Sequence, residues 1–238
     1  MAKTQPQETP RPLTVLNWLS VALMLGATWM VFFYAPLEAV MGQVQRVFYF
    51  HVSAGWLGML AFFVAVVASI LYLIKREMRW DTLGLAAVEI GLVYAFVNIV
   101  SGSIWARPAW NTWWTWDPRL VTATIMELVY IAYLMLRQGI EEPERRARFG
   151  AIYAILGFVT VPLTYFSIRI WRTIHPVVIG SGDPSAQGSF AMTSTILQTL
   201  MFSVLTFTVL GVTLLWHRYR VGVLQEHVDQ LRTDAMNR

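Results

Sequence analysis

The sequence predicts an all-α, polytopic membrane protein with six transmembrane helices. Its 238 residues are 56% hydrophobic and only 13% charged, a composition typical of membrane-embedded chains and uncommon in soluble domains. Six apolar segments are each long enough to cross a hydrocarbon core, which takes about 20 residues. The uneven placement of Lys and Arg then gives these segments a common orientation.

The chain divides into a tail, a membrane domain and a second tail. Residues 1–12 are polar, and the apolar run that follows is too long for the core of a cleaved signal peptide. The membrane domain covers residues 13–216, and the mixed apolar and charged spacing of residues 217–238 predicts a tail on the inner surface or in solvent. The predicted spans are Leu13–Phe33, Phe48–Ile74, Thr82–Ile104, Arg119–Leu136, Phe149–Ile168 and Phe190–Trp216. Pro162 predicts a kink in the fifth span.

The 18 Lys and Arg residues orient the spans. With a cytoplasmic N-terminus, thirteen of them fall on the cytoplasmic side and five on the outer side, which is the positive-inside bias. Both termini are then cytoplasmic. Because odd spans run outward and even spans inward, the second span begins, and the fifth ends, on the outer face.

The outer connection between the third and fourth spans, residues 105–118, is dense in tryptophan. Five of the 11 Trp residues lie there, and they are Trp105, Trp110, Trp113, Trp114 and Trp116. Indole rings present broad π-faces with one N–H donor, so such a cluster suits a large, flat, apolar ligand with polar edges. A membrane-interface girdle is the alternative, although a girdle spreads its aromatic residues over several helix ends.

Two of the four histidines share the outer face with this cluster. His51 lies at the outer start of the second span, and His175 follows the outer end of the fifth. A single histidine at a helix end is more often a capping or solvated group, but a pair beside a Trp platform favours axial ligation of a heme iron. No histidine lies in the middle of a span, which disfavours a b-type electron-transfer cytochrome. We therefore expect heme at the outer surface.

Charged residues near the cluster extend this hypothesis. Guanidinium groups pair bidentately with carboxylates such as heme propionates, and contact with lipid phosphate is the alternative. The candidates for propionate contact are Arg46, Arg107, Arg119 and Arg172. Asp117 precedes Pro118, which predicts that Asp117 caps the fourth span.

Several function classes are disfavoured. The absence of cysteine excludes disulfides, thiolate metal sites and thioether attachment on this chain's own residues. The chain has no phosphate-binding glycine loop, and basic residues at helix ends do not form the exposed stripe of a nucleic-acid-binding protein. A membrane transporter of heme or another small molecule, with Glu89 and Glu127 along a midplane path, stays an alternative. The sequence shows no repeats or paired helix breaks of the kind that transporters use.

The segment Trp113-Trp114-Thr115-Trp116-Asp117 resembles the WWxWD signature of the heme-handling protein family, which includes cytochrome c maturation proteins. Members of this family place histidines on outer loops that flank the signature, and His51 and His175 occupy the matching positions here. Chain length and six spans resemble its heme exporter protein C (CcmC) branch, since the heme-ligase members have many more spans. Asn111 stands where the family pattern leads us to expect glycine.

The resemblance implies that heme b is held at the periplasmic face of the bacterial inner membrane by His51 and His175. The implied heme platform consists of Trp110, Trp113, Trp114, Trp116 and Asp117. Heme then passes to a periplasmic heme chaperone (CcmE-like), with a small single-span subunit (CcmD-like), an ABC-type complex (CcmA/CcmB-like) and membrane lipid as further partners. We expect a delivery component that assists covalent attachment of heme to the chaperone and has no hydrolytic motif of its own.

Overall fold

The computed structural model describes residues 9–37, 42–176 and 192–236. Within these ranges, six helical segments are long and apolar enough to cross a membrane, which confirms the predicted fold class. The helices are α1 (Arg11–Trp29, extended by a π-helical turn at Met30–Tyr34), α2 (Gln45–Lys75), α3 (Met78–Trp110), α4 (Pro118–Gln138), α5 (Pro143–Gly157), α6 (Thr160–Ile170) and α7 (Ser194–Met236). Of the predicted N-terminal tail, residues 1–8 lie outside the described ranges.

The fifth predicted span is divided into α5 and α6 at the position that Pro162 sets. Proline has no N–H to donate to the carbonyl of Phe158, four residues earlier. That carbonyl instead accepts from the Val161 N–H at 3.0 Å, and the α-helical pattern is interrupted there. The fifth span is thus interrupted next to Pro162, and α6 leads directly into the segment that carries His175.

The third span ends at Trp110 and not at Ile104, so Trp105 and Trp110 are helical and do not belong to the predicted loop, residues 105–118. Pro108 removes only one main-chain hydrogen bond so close to the helix end. The helix stops at Asn111, whose left-handed backbone (φ 55°) forms the C-cap. Asparagine tolerates this conformation better than most residues, which explains why it can stand where the family pattern favours glycine.

The sixth span does not end at Trp216, because α7 continues as one helix through the predicted tail as far as Met236. No proline interrupts it. Two contacts hold the extension against α3: the Arg218 guanidinium binds the Glu89 carboxylate, with Nη2 and Oε1 2.8 Å apart, and Thr82 donates to Glu226. Residues 237–238 lie outside the described ranges.

Helices α2, α3 and α4 all contribute to the largest buried hydrophobic cluster of the described residues. The rings of Phe62 and Tyr130 stack with their centroids 3.7 Å apart, and both side chains are fully buried. A Cβ added at Gly91 would lie 2.5 Å from the Phe62 ring, so only glycine allows α2 and α3 to approach this closely. Small residues at such contacts are the usual means by which transmembrane helices pack.

Candidate functional site

The structure brings His51 and His175 together at one end of the bundle, which we call the histidine end. Their ring centroids are 6.3 Å apart, and the ring planes are inclined by 40°. A metal–imidazole bond is about 2 Å long, and the ring centre lies about 1 Å behind the nitrogen, so two axial imidazoles on one metal ion place their centres about 6 Å apart. The observed separation therefore suits two ligands of a single iron.

Contacts with α3 fix the ring of His51. Its Nδ1 lies 2.9 Å from the main-chain carbonyl oxygen of Asn98, and a carbonyl can only accept, so Nδ1 carries the proton and Nε2 keeps its lone pair. The Asn98 amide group donates in turn to the His51 carbonyl at 2.8 Å. Gly102 provides the space for the ring, because a Cβ there would lie 2.9 Å from Cε1 of His51.

His175 has the same tautomer. Its Nδ1 lies 3.0 Å from the carbonyl oxygen of Pro176, so this ring also presents an unprotonated Nε2. Desolvation by the surrounding protein, reinforced by the charge of Arg119, lowers the pKa of His175 from 6.5 to about 3. The imidazole is therefore neutral at neutral pH, which is the form that binds a metal ion.

Asp117 connects the tryptophan-rich segment to the segment that carries His175. Its Oδ1 accepts from the Arg119 main-chain N–H at 3.0 Å, which confirms the predicted cap of α4, and also from the Thr173 hydroxyl. Its Oδ2 accepts from the Ile174 N–H at 2.9 Å. The Thr173 oxygen then accepts from the His175 N–H at 3.1 Å. One carboxylate thus binds both the start of α4 and the segment Thr173–Ile174, which directly precedes His175.

Three of the five clustered tryptophans line a cavity of about 50 Å³ beside the two histidines: Trp105, Trp110 and Trp114. The rings of Trp105 and Trp110 meet edge to face at 5.0 Å, and Trp110 meets His175 at 6.5 Å. Among the described residues, neither Trp105 Nε1 nor Trp110 Nε1 has a hydrogen-bond partner, although both atoms are buried. Two buried N–H groups thus have no acceptor within the described protein, as in a site that receives its acceptor from a ligand.

The other two tryptophans of the signature face outward. Trp113 is 58% exposed and Trp116 is 81% exposed, and neither lines the cavity. Trp116 contacts Trp114 edge to face at 6.0 Å. The predicted platform is therefore divided into Trp110 and Trp114 beside the histidines and Trp113 and Trp116 at the surface.

Of the four arginines predicted to contact propionates, Arg119 alone lines this cavity, and its guanidinium donates to the Thr164 carbonyl on α6. Arg107 binds the main-chain and side-chain oxygens of Asn111 at 2.6 and 2.7 Å, so it supports the end of α3. Arg46 donates to the Phe32 carbonyl at 3.2 Å. Arg172 is exposed.

Comparison with known proteins identifies the family. Residues 3–234 match the family model of heme exporter protein C (CcmC). The chain belongs to the heme exporter protein C family. It is 31% identical over 222 residues to heme exporter protein C of Bradyrhizobium diazoefficiens (92% of this chain and 82% of the relative) and to that of Rhodobacter capsulatus (91% and 90%). It is 31% identical over 216 residues to heme exporter protein C of Escherichia coli K12 (88% and 84%).

Three residues that line this site or support it were not predicted from the sequence: Asn98, Gly102 and Trp105. Trp105 lines the cavity, but it was counted with the loop and left out of the platform. Asn98 and Gly102 fix the His51 ring, and their spacing of four residues places them on one face of α3. That spacing could have indicated a contact, but nothing in the sequence indicates that the contact is with His51.

The two carboxylates within the spans differ in their surroundings. Glu89 pairs with Arg218 on α7. Asn98 binds His51. Glu127 has one buried carboxylate oxygen, Oε2, with no hydrogen-bond partner in the described part of the chain.

Proposed function

We propose that this protein holds heme b as cargo at the periplasmic face of the bacterial inner membrane and delivers it to a periplasmic heme chaperone. His51 and His175 are the axial ligands in this proposal. Membership of the heme exporter protein C family supports a role in heme handling for cytochrome c maturation. The observation that carries the proposal is the histidine pair, whose ring centroids lie 6.3 Å apart and whose Nδ1 atoms each lie within hydrogen-bonding distance of a main-chain carbonyl oxygen.

The surroundings of the pair suit a flat cargo with carboxylate edges. Trp110 and Trp114 supply π-faces beside the histidines. Arg119 supplies a guanidinium for a propionate, and the unpartnered indole N–H groups of Trp105 and Trp110 supply further donors. These groups bind the cargo without any covalent bond to the protein, so the complex can dissociate.

The site also suits transfer to a partner. Two coordinate bonds can be replaced one at a time, and the exposed indoles of Trp113 and Trp116 present apolar surface to a chaperone next to the cavity. Aromatic side chains are enriched where proteins recognise one another. A heme buried within the bundle would not be accessible in this way.

We place the histidine end in the periplasm and both termini in the cytoplasm. In the sequence, thirteen of the 18 Lys and Arg residues fall in the segments that this orientation assigns to the cytoplasm, as the positive-inside rule requires. The resemblance to the cytochrome c maturation proteins adds a small single-span subunit and an ABC-type complex to the proposal. ATP hydrolysis by that complex would release the loaded chaperone.

The test is the absorption spectrum of the heme-loaded protein in detergent. We expect a low-spin, six-coordinate spectrum for the native chain. His51→Ala and His175→Ala should each become high-spin or lose heme, and Trp110→Ala combined with Trp114→Ala should lower the occupancy. His227→Ala is the matched control, because His227 is exposed on the extension of α7 far from the site, and its spectrum should equal that of the native chain.

Identical spectra for the native chain and both axial variants would contradict the proposal. The two histidines would then be interfacial residues and the tryptophans a membrane girdle. If the spectra change as expected, covalent loading of the purified chaperone in the presence of each variant tests delivery separately from binding. Flux of heme across proteoliposomes that lack the chaperone would instead favour the transporter alternative.

A further inference from the structure

A second cavity reaches the same two histidines from the flank of the bundle. It has a volume of about 370 Å³ and lies between α2, α6 and α7. Four residues line both cavities: His51, Asn98, Arg119 and His175. The histidine pair can therefore be approached from the tryptophan side and also from this flank groove.

The rim of the flank groove is exposed on the outside of the helical bundle. Trp56 on α2, Tyr165 on α6 and Met201 on α7 line it and are 47%, 47% and 42% exposed. Met201 lies seven residues, or about 10 Å, from the first residue of α7, and Tyr165 lies five residues before the last residue of α6. Apolar side chains exposed at this depth on the outside of a transmembrane bundle contact lipid chains.

Two of the helices that border the groove, α2 and α7, are linked on the side away from the histidines, whereas α6 packs elsewhere. α6 packs mainly on α4, whereas α7 packs on α1, α2 and α3. One turn beyond Val204, the last groove residue of α7, the Trp56 indole N–H donates to the Thr208 hydroxyl at 3.0 Å and links α2 to α7. Among residues 9–37, 42–176 and 192–236, the groove is therefore open in the half of the bundle that contains the histidines.

The lining of the groove combines a broad apolar surface with two guanidinium groups. Met59, Leu200, Met201 and Val204 supply the apolar surface, and Arg119 and Arg169 supply the charges. Arg119 lies beside the histidines, and Arg169 stacks on the ring of Tyr165 at 5.7 Å, closer to the membrane edge. A flat apolar molecule with carboxylates on one edge matches this arrangement.

We propose that the flank groove is a lateral portal through which heme passes from the outer leaflet of the bilayer to His51 and His175. This inference rests on the proposed function and adds the direction of loading. Heme is apolar over both faces and carries two carboxylates, so it dissolves in a bilayer with its charged edge near the headgroups. Loading then comes from lipid through the flank groove, and handover takes place on the tryptophan side.

The experiment measures heme loading from donor vesicles into the protein reconstituted in phosphatidylcholine vesicles. The chain contains no cysteine, so Met201→Cys introduces a single thiol that a bulky maleimide can label after the protein has folded. Leu205→Cys is the matched control, since Leu205 is a lipid-exposed neighbour on α7 that does not line the groove. Labelled Met201→Cys should load about tenfold more slowly than labelled Leu205→Cys and reach the same final spectrum.

Equal loading rates for the two labelled proteins would overturn the portal. A changed final spectrum in labelled Met201→Cys would also overturn it, because the groove would then be the resting site. Slower loading only when Trp114→Cys is labelled would show that heme arrives from water. If the label displaces a co-purified phospholipid and the rate of heme loading does not change, the groove binds lipid and is not a portal for heme. His51→Ala in the same assay tests the proposed function independently. If this variant loads heme as the native chain does, His51 is not an axial ligand, and this conclusion does not depend on the labelling results.

Discussion

Asp117 acts on His175 through the chain segment between them. Its two carboxylate oxygens accept three hydrogen bonds, from Arg119, Thr173 and Ile174. The Thr173 hydroxyl oxygen in turn accepts a hydrogen bond from the His175 main-chain N–H. Asp117 touches neither imidazole, so it is a positioning residue. Outer contacts of this kind orient the ligands of a metal ion and affect its affinity strongly.

We expect Asp117→Asn to lower heme affinity about 10- to 100-fold, as loss of an outer contact typically does. The amide group replaces one acceptor by a donor, so an N–H of Arg119 or Ile174 loses its partner and the segment around His175 shifts. Heme titration with spectral detection checks this, and Asp117→Asn should add a high-spin fraction that a purely structural loss would not produce. If Asp117→Asn weakens binding equally in the native and His175→Ala backgrounds, the effect does not pass through His175.

At the residue scale, the sequence predicted the histidines and the tryptophan cluster but not which rings face the cavity. Trp113 and Trp114 are adjacent, yet only Trp114 lines the cavity. Residues 111–117 are neither helix nor strand, so no periodicity assigns a direction to their side chains. The contacts of Arg46 and Arg107 were not predicted either, because the location of an arginine on the outer side does not reveal whether its guanidinium binds a main-chain carbonyl nearby.

At the scale of the elements, the site depends on how closely α3 approaches α2. A Cβ at Gly55 would lie 2.7 Å from Nδ2 of Asn98, and one at Gly102 would lie 2.9 Å from the His51 ring. Glycine at both positions lets Asn98 and the imidazole lie between the two helices. The same contact that packs the helices therefore sets the orientation of an axial ligand.

Gly102→Ala should weaken heme binding while the protein still folds. The added methyl group forces the His51 ring to tilt, and overpacking of this kind costs about 1–3 kcal/mol, here at the expense of the ligand geometry. Gly84→Ala on the same helix is the control, because the nearest atom to its new Cβ lies at 3.7 Å, an ordinary contact. Spectral titration of both variants checks the prediction. Equal affinities would show that the His51 ring adapts without loss.

Hydropathy predicted the number of membrane spans correctly and the ends of the helices less well. It records apolar content, so it ended the third span at Ile104 and the sixth at Trp216, where polar residues begin. The helices continue because main-chain hydrogen bonding does not require apolar side chains. Asn111 ends α3 through its left-handed backbone, and the contact between Arg218 and Glu89 holds α7 beyond the apolar region. Neither effect is visible in a hydropathy pattern.

At the scale of the whole molecule, the two ends of the bundle differ in how their charges are used. The histidine end has two cavities and buried indole N–H groups without partners among the described residues. The opposite end contains the buried pair of Asp81 on α3 and Arg137 on α4, joined by two hydrogen bonds of 2.6 and 2.7 Å. This division was beyond sequence analysis, since it depends on which charges from distant segments meet.

The Asp81–Arg137 pair should control stability without controlling heme binding. Both side chains are only 7% exposed, so Asp81→Asn leaves a buried guanidinium without its counter-charge and should lower the unfolding free energy by about 3–5 kcal/mol. Asp81→Leu combined with Arg137→Met should restore most of that loss, because removing both charges leaves none unpaired. Thermal unfolding in detergent measures the loss and its recovery.

Glu77→Gln serves as the control for this prediction. Glu77 and Arg79 form an exposed pair on the same end of the bundle, and such pairs contribute only about 0–1 kcal/mol. At temperatures where each variant remains folded, all of them should show the native heme spectrum. A folded Asp81→Asn protein with an altered spectrum would mean that α3 and α4 transmit a change from one end of the bundle to the histidines. The separation of stability from binding would then be wrong.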